Sequence, residues 1–217
     1  MVEAVAVPLV PVIGVVVAGA LAIAGAELGV RKLTAIFKPL ATILLLAVAG
    51  WPHTSFARLV IAGILLSLAG DLALLSKSDA AFQVGLVAFL IAHVLYLIAN
   101  LGVATWPGWI LAVALAVVAA TAVLLRFVRP PDKVLRVATI VYGVAISAMV
   151  ISAWATVGGP LRWAPLTAVG AVLFYVSDAS LALNRFHRPI PHIAYLAMGV
   201  YWLGQLGIAL AARGPLG

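Results

Sequence analysis

Lys38, Asp71, His93 and Asp178 are ionisable side chains set inside long apolar runs, and Glu27 stands at the edge of another. If those runs cross a bilayer, each such residue costs about 2.5–3.5 kcal/mol to insert, so it is expected to face the protein interior and to have a partner. Two carboxylates beside an ammonium can do acid–base work, because two carboxyls close together do not both ionise cheaply and one can serve as proton donor. Polar residues at helical spacing surround them. His93, Tyr96 and Asn100 lie on one face at i, i+3, i+7, Tyr201 and Gln205 at i, i+4, and Thr34, Lys38 and Thr42 share a third face. These faces are expected to converge on a polar cavity. Taken singly, each residue also has a plainer reading: a lysine near a helix end snorkels to headgroups, a lone aspartate glues helices together, and His93 with Tyr96 forms a satisfied interhelical pair.

The elements that must position these groups follow from composition. Of the residues, 66% are hydrophobic and 9% charged, too few charges to build a water-facing surface. The reading is an all-α, polytopic transmembrane bundle forming one integral membrane domain over 1–217. Eight segments reach the length of about 17 to 25 residues that a spanning helix needs: 8–26, 33–49, 56–75, 81–101, 109–125, 134–157, 163–183 and 191–211. Breaks such as Trp51-Pro52-His53, Trp106-Pro107-Gly108, Arg129-Pro130-Pro131-Asp132 and Gly158-Gly159-Pro160 carry loop chemistry. Trp51, Trp106, Trp109 and Trp163 read as interface anchors. With no cysteine, thiolate metal sites, disulfides and cysteine nucleophiles are excluded.

The net charge of +7 does not indicate nucleic acid, because the basic residues occupy short gaps between apolar runs. Arg31, Lys32, Lys77, Arg126, Arg129, Lys133, Arg136, Arg185 and Arg188 fall after odd-numbered spans, against Arg58, Arg162 and Arg213 on the other side. This bias predicts both termini on the non-cytoplasmic side. The first apolar run ends in Ala24-Gly25-Ala26, but it has Glu3 in place of a basic leader and is followed by Arg31 and Lys32, so it reads as a retained span. Under this orientation Lys38, Asp71 and Asp178 each lie about one turn inside the cytoplasmic surface. Gly70-Asp71-Leu72-Ala73-Leu74-Leu75 in span 3 echoes Ser177-Asp178-Ala179-Ser180-Leu181-Ala182-Leu183 in span 7. Four spans apart means the same direction of crossing, which suits two parallel four-helix repeats.

The ordered set Lys38-Pro39-Leu40, Gly70-Asp71-x-x-Leu74-Leu75, Phe82-x-x-Gly85-Leu86-x-x-Phe89-x-x-Ala92-His93-x-x-Tyr96, Gly170-Ala171-x-x-Phe174-x-x-Ser177-Asp178 and Tyr201-x-x-x-Gln205 resembles the YhhN-like lysoplasmalogenases over nearly the whole chain. The resemblance implies an eight-span membrane hydrolase that cleaves the vinyl ether of a lysoplasmalogen to a fatty aldehyde and a glycerophospho-alcohol. It also places Asp71 and Asp178 where the family's proposed catalytic aspartates lie.

That reaction suits the residues. Protonation of the alkenyl carbon distal to oxygen makes an oxocarbenium ion, and water captures it as a hemiacetal. One carboxylic acid and one carboxylate divide the work, as in glycosidases. Asp71 and Asp178 are the expected catalytic pair. Lys38 is expected to hold one carboxylate or the substrate phosphate, and His93, Tyr96, Tyr201 and Gln205 to order water and the glycerol hydroxyl. An apolar groove would take the alkenyl chain. No cofactor or metal is required, and a lone intramembrane histidine does not suit zinc. The expected partners are a lysophospholipid and the bilayer, and the expected location is a bacterial inner membrane, with an organelle membrane the alternative. Two other functions remain open: a small-molecule or proton-coupled transporter, and a hydrolase of another lysolipid.

Overall fold

The computed structural model describes residues 7–76 and 78–214; Glu3 and Lys77, used above to judge the leader and the charge bias, lie outside them. Eight helices follow one another: α1 (Leu9–Glu27), α2 (Arg31–Ala49), α3 (Ser55–Ala73), α4 (Asp79–Leu101), α5 (Ile110–Phe127), α6 (Lys133–Ala155), α7 (Ala164–Phe186) and α8 (Tyr195–Arg213). Each is long and apolar enough to cross a membrane, and the chain is an integral membrane protein. Side chains such as Val10, Leu111 and Val134 face outward because lipid, not water, is their solvent.

Local sequence chemistry sets the boundaries. Thr54, Ser78 and Asp132 cap α3, α4 and α6 by accepting from the amides of Ala57, Ala81 and Leu135. Gly50 ends α2 at φ 74°, a left-handed geometry that a side chain resists. Pro165 enters α7 in its first turn, where its missing N–H costs nothing. Pro39 lies within α2, and α8 opens with a π-helical turn over Tyr195–Gly199.

The packing has a repeat in it. α1 packs on α2, α3 on α4 and α2 on α3, and four helices later α5 packs on α6, α7 on α8 and α6 on α7. The cross-contacts exchange in the same way: α2 meets α8, and α6 meets α4. The correspondence breaks at one place. α1 packs against α8, whereas its counterpart α5 does not approach α4; α7 meets α4 through side chains alone, with Phe174 against Phe89, His93 and Tyr96. α5 stands apart, with Thr121 its one buried residue.

Candidate active site

The two aspartates sit at corresponding places in the halves but in unlike surroundings. Asp71, near the end of α3, is 3% exposed at its side chain. Lys38 on α2 places Nζ 3.3 Å from Asp71 Oδ1 and also donates to the Asp71 carbonyl. Thr42 Oγ1, one turn further along α2, donates to Asp71 Oδ2 at 2.6 Å, and Tyr201 OH on α8 donates to the same oxygen at 3.0 Å. Trp202 Nε1 donates to Thr42 Oγ1 at 3.2 Å. The network runs on through Gln205, whose Nε2 donates to Ser67 Oγ at 2.9 Å and whose Oε1 accepts from Tyr96 OH at 2.8 Å. Five of the seven expected site residues, Lys38, Asp71, Tyr96, Tyr201 and Gln205, are thereby brought into one layer of buried hydrogen bonds.

These polar faces do converge, but on close packing and not on an open cavity. Tyr96 fits because Gly63 has no side chain: a Cβ there would lie 2.2 Å from the ring. Trp202 likewise lies over Gly19. Asn100, at the far end of the α4 face, donates to Ser152 Oγ and the Met149 carbonyl on α6. Glu27 stands apart from the cluster and pairs with His192 at 2.6 Å.

Asp178, eight residues before the end of α7, is 15% exposed at its side chain. Tyr142 on α6 donates its hydroxyl to Asp178 Oδ2. His93 Nε2 on α4 lies 3.6 Å from the same oxygen, outside hydrogen-bond range. Asp178 Oδ1 has no partner among the described residues, and neither ring nitrogen of the fully buried His93 has a hydrogen-bond partner there. A buried imidazole without hydrogen-bond partners next to a carboxylate is a costly arrangement.

The histidine and the tyrosine of the two halves play matching parts. Tyr201 reaches from α8 to Asp71, and His93 reaches from α4 to Asp178. Lys38 on α2 supports the first aspartate and Tyr142 on α6 the second. Aromatic rings stand between the two nodes: Phe174 is 4.6 Å from His93 and 5.1 Å from Tyr201, centroid to centroid. Among the described residues no bond joins Asp71 to Asp178.

Of the two aspartates, Asp178 lines an apolar groove and Asp71 does not. An apolar groove lies between α4, α5, α6 and α7, walled by Phe82, Leu86 and Phe89 on one side and by Leu124, Leu125 and Val128 on the other. Asp178, Tyr142, Thr121 and Tyr175 are its polar lining apart from Thr139 near the mouth. This is the gap left where α5 does not touch α4. In the other half α1 and Trp202 of α8 close the equivalent space. Thr121 further joins Ser147 and Tyr175 through hydroxyl contacts of 2.7 and 2.8 Å, which ties α5 to α6 and α7 beside the groove. Lys38, His93, Tyr96, Tyr201 and Gln205 do not line it.

The YhhN family profile matches residues 33–212. This chain belongs to the YhhN family. It is 35% identical over 166 residues to lysoplasmalogenase TMEM86B of Homo sapiens, covering 76% of this chain and 68% of that protein. Against the same-named protein of Sus scrofa the figures are 37% over 148 residues, covering 68% and 60%. A lysoplasmalogenase of Mycobacterium tuberculosis is 36% identical over 186 residues, covering 82% of this chain and 69% of the relative. The matched stretch thus spans about two thirds of each relative's length. No solved structure matches this fold.

Tyr142 was missed in the sequence of this YhhN-family chain. A lone tyrosine within an apolar span carries no signal of its own, since tyrosines are common near membrane interfaces. The four-helix repeat held the clue: α6 is the counterpart of α2, and the helix that supplies Lys38 to one aspartate has a partner that must supply something to the other.

Proposed function

We propose that this chain hydrolyses the vinyl ether bond of lysoplasmalogens within the membrane, releasing a fatty aldehyde and a glycerophospho-alcohol. The observation that carries this reading is the placing of Asp178 and its hydrogen-bond partner Tyr142 on an apolar groove fit for a single alkenyl chain. The relatives' shared name supports it.

In this scheme the two aspartates divide the work by environment. Asp178 is the proton donor. Tyr142 and His93 both approach Oδ2, which leaves Oδ1 to carry the proton to the alkenyl carbon distal to the ether oxygen. The resulting oxocarbenium ion lies against the Asp178 carboxylate, which stabilises it in a site from which bulk water is largely excluded. Water on the groove side of that carboxylate adds to the cationic carbon and returns one proton to Asp178. The hemiacetal then breaks its bond to the glycerol oxygen, which takes up the proton that the hemiacetal hydroxyl gives up as the aldehyde forms. One water is consumed, and the carboxyl is restored. Asp71, ion-paired with Lys38, is a positioning residue: it holds Tyr201 and, through Phe174, the wall on which His93 rests. Lys38, Tyr96, Tyr201 and Gln205 act through that wall, and His93, which does not line the groove, acts through the Asp178 carboxyl.

The basic end of the bundle faces the cytoplasm in this reading, with both termini opposite, and the membrane is a bacterial inner membrane. The test is aldehyde release from lysoplasmenyl-ethanolamine and lysoplasmenyl-choline by the detergent-purified protein. Aldehyde from the wild type and none from Asp178→Asn supports the scheme. A folded wild-type protein that releases none from either lipid, while hydrolysing an acyl lysolipid, overturns it.

A further inference from the structure

The groove does not end at its apolar walls. Toward the basic end of the bundle it meets a second hollow, and the two share Leu125, Val128 and Thr139 as common wall. What the second hollow adds is charge: Arg126 in the last turn of α5, Arg129 in the connection and Arg136 in the first turns of α6. All three side chains are exposed, and among the described residues none is in a salt bridge. The one carboxylate in their connection, Asp132, accepts from the Leu135 amide as the cap of α6. Arg129 is held by its Nε, which donates to the Arg126 carbonyl at 3.0 Å and leaves its terminal nitrogens to other partners. Pro130 and Pro131 follow it and stiffen the connection.

Lys38, the other cation that could have met a phosphate, is 8% exposed, is taken up by Asp71 and does not border the groove. The spacing on α6 instead links the arginines to the proposed chemistry. Thr139, which lines both hollows, stands three residues from Arg136 and three from Tyr142, the Asp178 partner, and the backbones of Arg136 and Tyr142 are about 9 Å apart along the helix axis. That stretch of α6 runs from the arginine-lined hollow, past the shared wall at Thr139, to the groove lining beside Asp178.

Resting on the lysoplasmalogenase reading, we propose that Arg126, Arg129 and Arg136 form the phosphate-binding mouth of the groove, taking the phosphodiester of a single-chain phospholipid whose chain lies along the apolar walls. Guanidinium groups suit this task because they are permanently charged and present paired donors to phosphate oxygens. The arrangement selects lysophospholipids by combining a headgroup contact with a chain contact at fixed separation, and it orients the lipid with its ether next to Asp178.

The test uses the full-length purified protein and the saturated 1-O-alkyl lysophosphoethanolamine, which has no vinyl group to cleave, with 1-O-alkylglycerol as the phosphate-free probe. Affinity is measured by thermophoresis for the wild type, for Arg129→Gln with Arg136→Gln, for the same pair changed to Lys, and for Lys32→Gln at the same end of the bundle. The expected result is a loss of about ten- to a hundredfold for the Gln pair on the phospholipid alone, about one to two decades in Kd. A smaller loss is expected for the Lys pair, and none for Lys32→Gln. Millimolar inorganic phosphate should not displace the lipid. Equal loss for Lys32→Gln would show a general effect of surface charge and overturn the proposal, as would equal loss on the alkylglycerol, or tight binding of free phosphate. Because the probe is not cleaved, arginine-dependent binding without aldehyde release from the vinyl substrates would sink the proposed reaction and leave this site standing. Aldehyde release with arginine-independent binding would do the reverse.

Discussion

At the scale of single residues, the two aspartates differ in what surrounds them, and so they should differ in how they fail. Asp178→Asn removes the proposed proton donor on the groove and little else. It is expected to lower aldehyde release by about a hundred- to ten-thousand-fold with the thermal midpoint in detergent nearly unchanged. Tyr142→Phe deletes one hydrogen bond to that carboxyl and should cost roughly ten- to a hundredfold in turnover, since such bonds to charged groups are worth about 1.5–3 kcal/mol. Asp71→Asn instead strands Lys38 in a buried layer, a loss of about 3–5 kcal/mol for a buried pair broken on one side. Adding Lys38→Met to Asp71→Asn should recover much of the midpoint, because the unpaired charge is gone. A midpoint for the double variant at or below that of the single one would show that Asp71 is not held chiefly by its ion pair.

At the scale of elements, helix contacts depend on small residues where backbones touch. Gly170 on α7 and Gly204 on α8 face each other so closely that a Cβ on Gly170 would lie 2.5 Å from the Gly204 carbonyl oxygen. Backbone cannot swing aside as a flexible side chain does, so Gly170→Ala should destabilise by about 1–3 kcal/mol. It should also reduce turnover, because the same helix pair carries Phe174 and Tyr201, the rings between the two aspartate nodes. Thermal unfolding followed together with aldehyde release checks this, and an alanine variant as stable as the wild type would refute it. The helices themselves were legible from length and hydropathy. Their ends were less so: α7 was expected to stop at 183 and runs on to Phe186, which sets Asp178 two turns inside instead of one. Leu-Ala-Leu-Asn-Arg-Phe carries no helix-stopping residue, and hydropathy falls before helicity does.

At the scale of the whole molecule, the charge bias between the two ends predicts a topology that can be measured directly. The natural chain has no cysteine, so any introduced cysteine is unique. Ser78→Cys should react with an impermeant maleimide only after the cytoplasmic face is opened, and Gly158→Cys should react in intact cells. The opposite pattern would invert the orientation and move the arginine-lined mouth to the outer face. The asymmetry of the two halves also belongs to this scale. Both have an aspartate, a reaching ring from the partner half and a supporting side chain, yet α1 and Trp202 close one of them while α5 leaves the other open to lipid.

The amino-acid sequence by itself determined the class of molecule, eight membrane helices, and picked out both aspartates, Lys38 and His93, because an ionisable group in an apolar run is costly wherever the chain goes. Helical spacing also placed Tyr96, Tyr201 and Gln205 on inward faces, since that periodicity is local. Which aspartate meets the groove was decided only in three dimensions. Asp71 and Asp178 stand in loosely similar local sequences, each with a leucine three residues on, and their difference comes from α1, α5 and Trp202, elements distant in the chain whose packing no local pattern encodes. Tyr142 and the three arginines became functional candidates for the same reason: their value lies in what they stand beside, and tertiary contact supplies that.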